Sequence, residues 1–224
     1  MHIQQFFITL MQYLSGKAPS GALFPSELIP KTVSEAITEN IFWAALVYAV
    51  LVPLVLWAVG LIVHGVSALL TNILAVVTGP SLAFVARNYL TYIGTVVHEL
   101  SHALFAVLTG AKVTRITLVP HGATLGSVDF VPRGPRFFKG LQLSLTSIAP
   151  TVVGAAAIIF LFIKVYPLLT LTWHYILFWY LAVSILFHMN LSPQDLKNFS
   201  RGILPFLATI YLIALAILAI GKYM

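Results

Sequence analysis

The residues of this sequence best suited to chemistry are His98, Glu99 and His102, which form an H-E-x-x-H motif. On a helix, two histidines four positions apart lie on one face about one turn from each other, at the separation that two ligands of a single Zn²⁺ require. Glu99 follows the first histidine and is placed to act as a general base toward a water molecule at the metal. The motif therefore predicts zinc-dependent hydrolysis.

The motif lies in an apolar stretch, residues 88–109, in which Glu99 is the only Asp, Glu, Lys or Arg. A stretch of this length is typical of a membrane-spanning helix. H-E-x-x-H also occurs by chance in soluble helices, so the motif alone is weak evidence. A carboxylate and two imidazoles are costly to place at bilayer depth, and such residues usually serve a function. The setting therefore favours a metal site within the membrane.

The composition indicates an integral membrane protein. The chain is 60% hydrophobic and 8% charged, with a mean hydropathy of +0.99, whereas soluble domains carry roughly 25% charged residues. There is no cysteine, so a metal ligand must be nitrogen or oxygen. The formal net charge of +6 fits cytoplasmic loops and anionic headgroups. A nucleic-acid partner is excluded because no basic cluster stands on a soluble domain.

The apolar stretches predict an all-α membrane bundle of five or six transmembrane helices. Residues 1–40 form an amphipathic and polar N-terminal region, and residues 41–224 form a single transmembrane domain. The segment 66–86 leaves the count open, because Gly79-Pro80 interrupts it and it could be a full span, a broken helix or a re-entrant segment. The other predicted spans are 41–63, 88–109, 140–163, 165–187 and 203–221, with a polar break at 189–202.

Residues 111–139 differ from the rest of the chain, because Val, Thr, Gly and Pro predominate there. In residues 113–119, apolar and polar side chains alternate in the way that is typical of a β-strand. A small β-hairpin insert is therefore predicted directly after the motif helix, with turns near His121-Gly122 and near Arg133-Gly134-Pro135. The basic residues of this loop and of segment 191–202 predict that both lie on the cytoplasmic side.

A catalytic zinc of this kind needs a third protein ligand. Asp195 is the one other acidic residue at the edge of an apolar span, and Ser192-Pro193 is expected to break the preceding helix beside it. Asp195 could instead be a helix N-cap for the turn 196–199, and the sequence leaves both roles open. The other candidates are weaker: His188 is more typical of a polar residue near the interface, and Asp129 of a solvated loop.

These features together resemble the site-2 protease family of intramembrane zinc metalloproteases, in its compact bacterial branch without PDZ or CBS domains. The H-E-x-x-H helix followed by Gly110 and a β-rich segment is similar to the family pattern. Two further segments match the family. Ser147-Ile148-Ala149-Pro150 is similar to its Gly-Pro element, and the segment from Asn190 to Asp195 is similar to its Asn-Pro-Asp signature. The sequence departs from the family where Leu196, rather than glycine, follows Asp195, and where the Ser-Ile-Ala-Pro element lacks glycine.

The resemblance implies a metalloprotease domain over residues 41–224, with zinc held by His98, His102 and Asp195 and with Glu99 as general base. It implies that Asn190 binds the substrate backbone, although Asn190 could instead satisfy helix-end carbonyls. The implied partners are the lipid bilayer and a single-pass membrane protein or membrane peptide cut in regulated intramembrane proteolysis. The implied location is the cell membrane, as a multi-pass protein of a bacterial plasma membrane. The alternatives are a non-proteolytic scaffold and a metal-binding or transport protein of the same fold.

Overall fold

The computed structural model describes residues 40–119 and 125–223. In this part of the chain six α-helices and one two-stranded antiparallel sheet follow each other in the order α1, α2, α3, β1, β2, α4, α5, α6. The prediction of a mostly helical membrane protein with one small hairpin is therefore confirmed. The predicted N-terminal region up to residue 39 and the predicted turn at His121-Gly122 lie outside the described residues.

Helix α1, Ile41–Thr78, is 38 residues long and contains Pro53. Its length is about 57 Å at 1.5 Å per residue, well beyond the roughly 30 Å of a hydrocarbon core. The expected break after residue 63 was wrong, because His64-Gly65 has too weak a helix-breaking tendency to stop so apolar a run. The helix ends instead at Thr78, and Gly79, with a φ of 88°, separates it from the short helix α2, Pro80–Val85.

The motif helix α3, Tyr92–Leu108, follows a π-helical turn at Ala86–Leu90. Gly110 ends α3 with a φ of 85°, the left-handed conformation in which glycine commonly stops a helix. The hairpin follows directly as β1, Lys112–Thr117, and β2, Ser127–Val131. The register pairs Lys112 with Val131 and Thr117 with Ser127.

The second half of the structure contains three helices: α4, Arg136–Phe160, α5, Thr172–His188, and α6, Pro193–Tyr223. The break expected after residue 163 was wrong, since a π-helical turn and a 3₁₀ turn carry α4 on to Leu168. The polar break predicted at 189–202 is confirmed at residues 189–192, which separate α5 from α6, but it is shorter than predicted because residues 193–202 are already helical. Apart from the buried Asp195, polar side chains of this stretch lie on the helix surface, where Gln194 donates a hydrogen bond to Asn198 one turn later.

Three helices of the described chain are long and apolar enough to cross a membrane: Ile41–Thr78, Arg136–Leu168 and Pro193–Ile220. The motif helix is a shorter apolar helix of 17 residues. Membrane-capable helices are therefore present, while the number of five or six crossings stays a prediction.

The described residues fall into two compact units. The smaller unit joins residues 40–50 to residues 210–223, and its core is Ala44, Ala45 and Leu218. The larger unit, residues 51–209, contains every predicted site residue. Within it, α4 and α6 approach so closely at Gly140 and Gly202 that a Cβ on Gly202 would strike the Gly140 carbonyl. The single domain predicted over residues 41–224 stays a prediction.

Candidate metal centre

Three side chains predicted as metal ligands meet in the larger unit. One ligand atom each from His98, His102 and Asp195 lies within 4.8 Å of the others. The two histidine Nε2 atoms are 3.1 Å apart, and Asp195 Oδ1 lies 3.4 Å from the Nε2 of His102. His102 and Asp195 are each only 7% exposed. Helix α3 therefore supplies two candidate ligands from one face, and the first turn of α6 brings the third candidate from a distant part of the sequence.

Both imidazole rings are oriented by backbone carbonyls. His98 Nδ1 lies 2.5 Å from the carbonyl oxygen of His188, and His102 Nδ1 lies 2.7 Å from that of Thr146. A carbonyl oxygen only accepts hydrogen bonds, so each Nδ1 carries the proton and each Nε2 presents a lone pair. Histidine ligands of metals are usually held in this way through the nitrogen that does not bind the metal.

The two carbonyls are free to accept because neither has the usual helical partner. The carbonyl of Thr146 would normally receive the N–H of residue 150, but residue 150 is Pro150, inside α4, and has no N–H. His188 is the last residue of α5, where carbonyls lack partners within the helix. The N–H of Ser192, four residues on, donates to Asp195 instead. A proline and a helix end thus provide the two acceptors that hold the ligands.

This arrangement fits a tetrahedral zinc ion. Two Nε2 lone pairs and a carboxylate converge with no proton between the two nitrogens, an arrangement that is repulsive without a cation. Zinc bonds of about 2.0–2.1 Å at tetrahedral angles put neighbouring ligand atoms roughly 3.3 Å apart, close to the observed 3.1 and 3.4 Å. The donor set of two imidazoles and one carboxylate is that of known catalytic zinc sites, which keep a fourth position open.

Asp195 uses its two carboxylate oxygens differently. Oδ2 accepts hydrogen bonds from the N–H of Ser192 at 2.9 Å and from its hydroxyl at 2.6 Å, while the N–H of Asp195 donates to Ser192 Oγ at 3.1 Å. This is a capping box in which Ser192 is the N-cap and Asp195 stands at the third helical position. Oδ1 faces His102. The sequence left open whether Asp195 is a metal ligand or a helix cap. The structure shows that one side chain can take both roles.

Glu99 lies on the next position of α3 and is 9% exposed. In the described part of the chain, no hydrogen-bond partner ties up its carboxylate. The backbone just before β2 covers it: a Cβ added to Gly126 would lie 2.7 Å from Glu99 Cγ and 3.3 Å from Thr95 Cγ2. The hairpin therefore packs its residue 126 directly on the side chain of Glu99, and a glycine there leaves the room that Glu99 needs.

The remaining candidates lie outside the ligand cluster. Both amide atoms of Asn190 are buried without a hydrogen-bond partner among the described residues, so the structure does not show it satisfying helix-end carbonyls. His188 contributes its backbone carbonyl, while its ring Nδ1 donates to the carbonyl of Ser184. Asp129 is exposed on β2, opposite Arg115. Neither His188 nor Asp129 offers a ligand atom to the cluster.

The sequence analysis missed the carbonyl of Thr146 as a functional group. Every residue has a backbone carbonyl, so the residue type at position 146 gives no sign of this role. The available signal was Pro150, four residues after Thr146, because proline has no N–H to compete for that carbonyl. Gly126 was also missed. Its role depends on how closely the hairpin approaches α3, and the sequence does not encode this approach locally.

The fold and the site together describe a protein with membrane-capable helices, in which two histidines and one aspartate that could hold a metal ion lie beside a buried glutamate. The family described as Peptidase M50B-like matches residues 65–219, which is more than half of the chain and includes the whole centre. The chain therefore belongs to this family, which is of the site-2 protease type, and is a member of a metallopeptidase family. Neither a curated protein nor a solved structure matches the chain.

The role of Pro150 can be tested by restoring the missing N–H. The Pro150→Ala variant is expected to bind zinc about tenfold more weakly, because its new N–H competes with His102 for the Thr146 carbonyl, and loss of such outer contacts typically costs 10–100-fold in metal affinity. Competition with a zinc chelator in detergent measures the affinity. Thr146→Val, which removes the unpartnered Thr146 hydroxyl but keeps the carbonyl, should bind zinc as wild type does. Equal affinities in wild type and Pro150→Ala would contradict this account.

Proposed function

We propose that this protein is a zinc-dependent endopeptidase that hydrolyses peptide bonds of transmembrane or membrane-bound peptides. The observation that carries the proposal is the convergence of His98, His102 and Asp195 beside the buried Glu99 in a strongly apolar helical protein. Membership of the Peptidase M50B-like family supports it. The multi-pass protein would act in the cell membrane, a bacterial plasma membrane, on a single-pass membrane protein or peptide.

His98, His102 and Asp195 would hold the zinc ion. When bound there, zinc supplies Lewis-acid chemistry: it polarises the scissile carbonyl and makes water a better nucleophile at neutral pH. Glu99 would accept the proton of the attacking water and pass it to the leaving nitrogen. The Nδ1 hydrogen bonds to His188 and Thr146 hold the imidazoles in the orientation that this requires.

Glu99 is suited to this role because the residue is only 9% exposed and its carboxylate has no hydrogen-bond partner among residues 40–119 and 125–223. Its position directly after His98 on α3 places it at the rim of the ligand cluster. The backbone at Gly126 packs on its side chain, which limits the rotamers that it can adopt and excludes water from that side. A proton acceptor fixed in this way needs little reorganisation during the reaction.

A helical substrate must unwind before hydrolysis, because its carbonyls are engaged in intrahelical hydrogen bonds. The hairpin of β1 and β2 offers a means of holding the unwound segment, since each strand of a two-stranded sheet has one unpaired edge. The end of the hairpin at which Thr117 pairs with Ser127 is the end nearest Glu99. An extended substrate paired there would pass close to the metal centre.

Asn190 would add a second contact with the substrate backbone. Its amide Nδ2 and Oδ1 are both buried and unpartnered in the described structure, which is a costly state for a polar group. An extended peptide presents one N–H and one C=O per residue and could satisfy both atoms. The side chain lies five residues before Asp195, at the turn between α5 and α6.

The proposal is tested with wild-type protein purified without chelators and reconstituted into liposomes with a set of transmembrane peptides. We expect about one zinc ion per chain by elemental analysis and peptide fragments by mass spectrometry. A strong chelator should abolish cleavage, and added zinc should restore it. Bound zinc without cleavage of any peptide would favour the scaffold or metal-transport alternative, and absence of zinc would overturn the metal centre itself.

A further inference from the structure

A second feature of the larger unit is a cavity of about 460 Å³ whose lining includes residues next to Asp195 in the chain. One wall is the middle of α1, including Trp57, Gly60 and Leu61, and the opposite wall includes Ile148 and Phe199. Most of its lining side chains are apolar. Its volume lies within the range of roughly 300–1,000 Å³ that is typical of ligand pockets, so it can take one large side chain together with part of the neighbouring backbone.

The cavity is continuous with the elements that build the metal centre. Pro193 and Leu196 line it, and they stand on either side of Asp195 in the first turn of α6. Ile148 lies two residues after Thr146, whose carbonyl orients His102. A peptide whose scissile bond lies at the metal centre would therefore have side chains within reach of this cavity.

The polar side chains in the cavity wall are His64, Thr151 and Asn190, and Asn190 indicates what kind of occupant fits. Asn190 lines the cavity, and both of its amide atoms are buried without a partner in the described chain. A lipid tail would leave that amide unpaired, whereas a peptide backbone offers both a donor and an acceptor. The α1 wall is exposed at Trp57 and Leu61, so a membrane peptide can reach the cavity without crossing the packed core.

Gly60 lines the cavity on the α1 side. A Cβ at this position would have no heavy atom within 4 Å, so the space beside Gly60 is unfilled. Glycine within a helix costs about 1 kcal/mol relative to alanine, and a larger residue here would be accommodated without a clash. Gly65, on the same helix, also has open space around it but does not line the cavity.

We propose that this cavity is a specificity pocket that receives a large apolar side chain, such as leucine or phenylalanine, next to the scissile bond of the substrate. Gly60 keeps the pocket deep enough for that side chain, and Asn190 holds the adjoining backbone. The inference rests on the proposed function, because it assigns a preference to the same reaction. It makes α1, which supplies no metal ligand, the helix that selects the substrate.

The test begins with a transmembrane peptide that wild type cleaves and whose cut position is known from mass spectrometry. Each of the three residues on either side of the cut is replaced in turn by alanine, leucine or phenylalanine. At one position wild type should prefer leucine or phenylalanine over alanine about tenfold or more, as expected for methylene groups in an apolar pocket. In Gly60→Leu this preference should disappear at that position alone. Gly65→Leu should keep it, and an unchanged preference in Gly60→Leu would overturn the pocket.

A binding readout separates failure of the pocket from failure of the proposed function. Photo-leucine is scanned along the same peptide and cross-linked to the Glu99→Gln protein, with and without Gly60→Leu. Cross-links to residues 53–64 that disappear in the Gly60→Leu protein support the pocket, even if wild type cleaves nothing and the proteolytic function fails. Cleavage by wild type without such cross-links leaves the function standing and overturns the pocket. Absence of both cleavage and cross-links overturns the pocket as well as the proposed function, and a lipid tail then becomes the better occupant of the cavity.

Discussion

The Glu99→Gln variant is expected to bind zinc as wild type does and to cleave membrane peptides about a hundredfold or more slowly. General acid–base catalysis typically contributes 10²–10⁴-fold, and glutamine cannot accept the proton. The three ligands His98, His102 and Asp195 are unchanged, and both imidazoles keep their carbonyl partners. In this variant the zinc content should therefore stay at the wild-type level while the cleavage rate falls.

The measurement pairs elemental analysis with a rate assay in liposomes, using the same protein preparation for both. Glu99→Asp serves as the conservative comparison, because it keeps a carboxylate but withdraws it by about one methylene. Its rate should lie between those of wild type and Glu99→Gln, whereas a purely structural role for the side chain predicts no such order. Cleavage by Glu99→Gln at the wild-type rate would rule out Glu99 as the general base.

The motif helix could be predicted from sequence because its signals are local. The two histidines four positions apart, the apolar surroundings and Gly110 together predict a helix with two candidate ligands on one face, and in the structure both histidines lie on α3 with ligand atoms close together. The hairpin was also predictable, since the alternation of residues 113–119 is a local pattern. Where local signals were weak, as between Val63 and Val66, the predicted helix boundary was wrong and the helix continued to Thr78.

The parts of the site that could not be predicted depend on contacts between distant segments. The carbonyl of Thr146 is useful only because α4 packs against α3 beside His102. Gly126 matters only because the hairpin lies over Glu99. The role of Asp195 was ambiguous for a different reason: a carboxylate near a helix start has two oxygens, and sequence position alone cannot show that each has its own partner.

Asp195→Asn is expected to weaken zinc binding more than a hundredfold while leaving the fold close to the stability of wild type. Losing the carboxylate charge at a direct ligand should exceed the 10–100-fold effect that is typical of outer contacts. The asparagine oxygen can still accept the N–H of Ser192, so the capping box largely survives. Chelator competition measures the affinity, and thermal unfolding of the zinc-free proteins in detergent measures the stability.

Ser192→Ala provides the reciprocal change. It removes the hydroxyl that donates to Asp195 Oδ2 and accepts from the Asp195 N–H, and loss of such a cap costs about 0.5–2 kcal/mol. Oδ1, which faces His102, is untouched, so the zinc affinity of Ser192→Ala should stay within about tenfold of wild type. Full zinc binding by Asp195→Asn would leave Asp195 with the capping role alone. Weakened zinc binding with near-normal stability in Asp195→Asn, together with near-normal zinc binding and reduced stability in Ser192→Ala, would instead assign one carboxylate oxygen to the metal and the other to the start of α6.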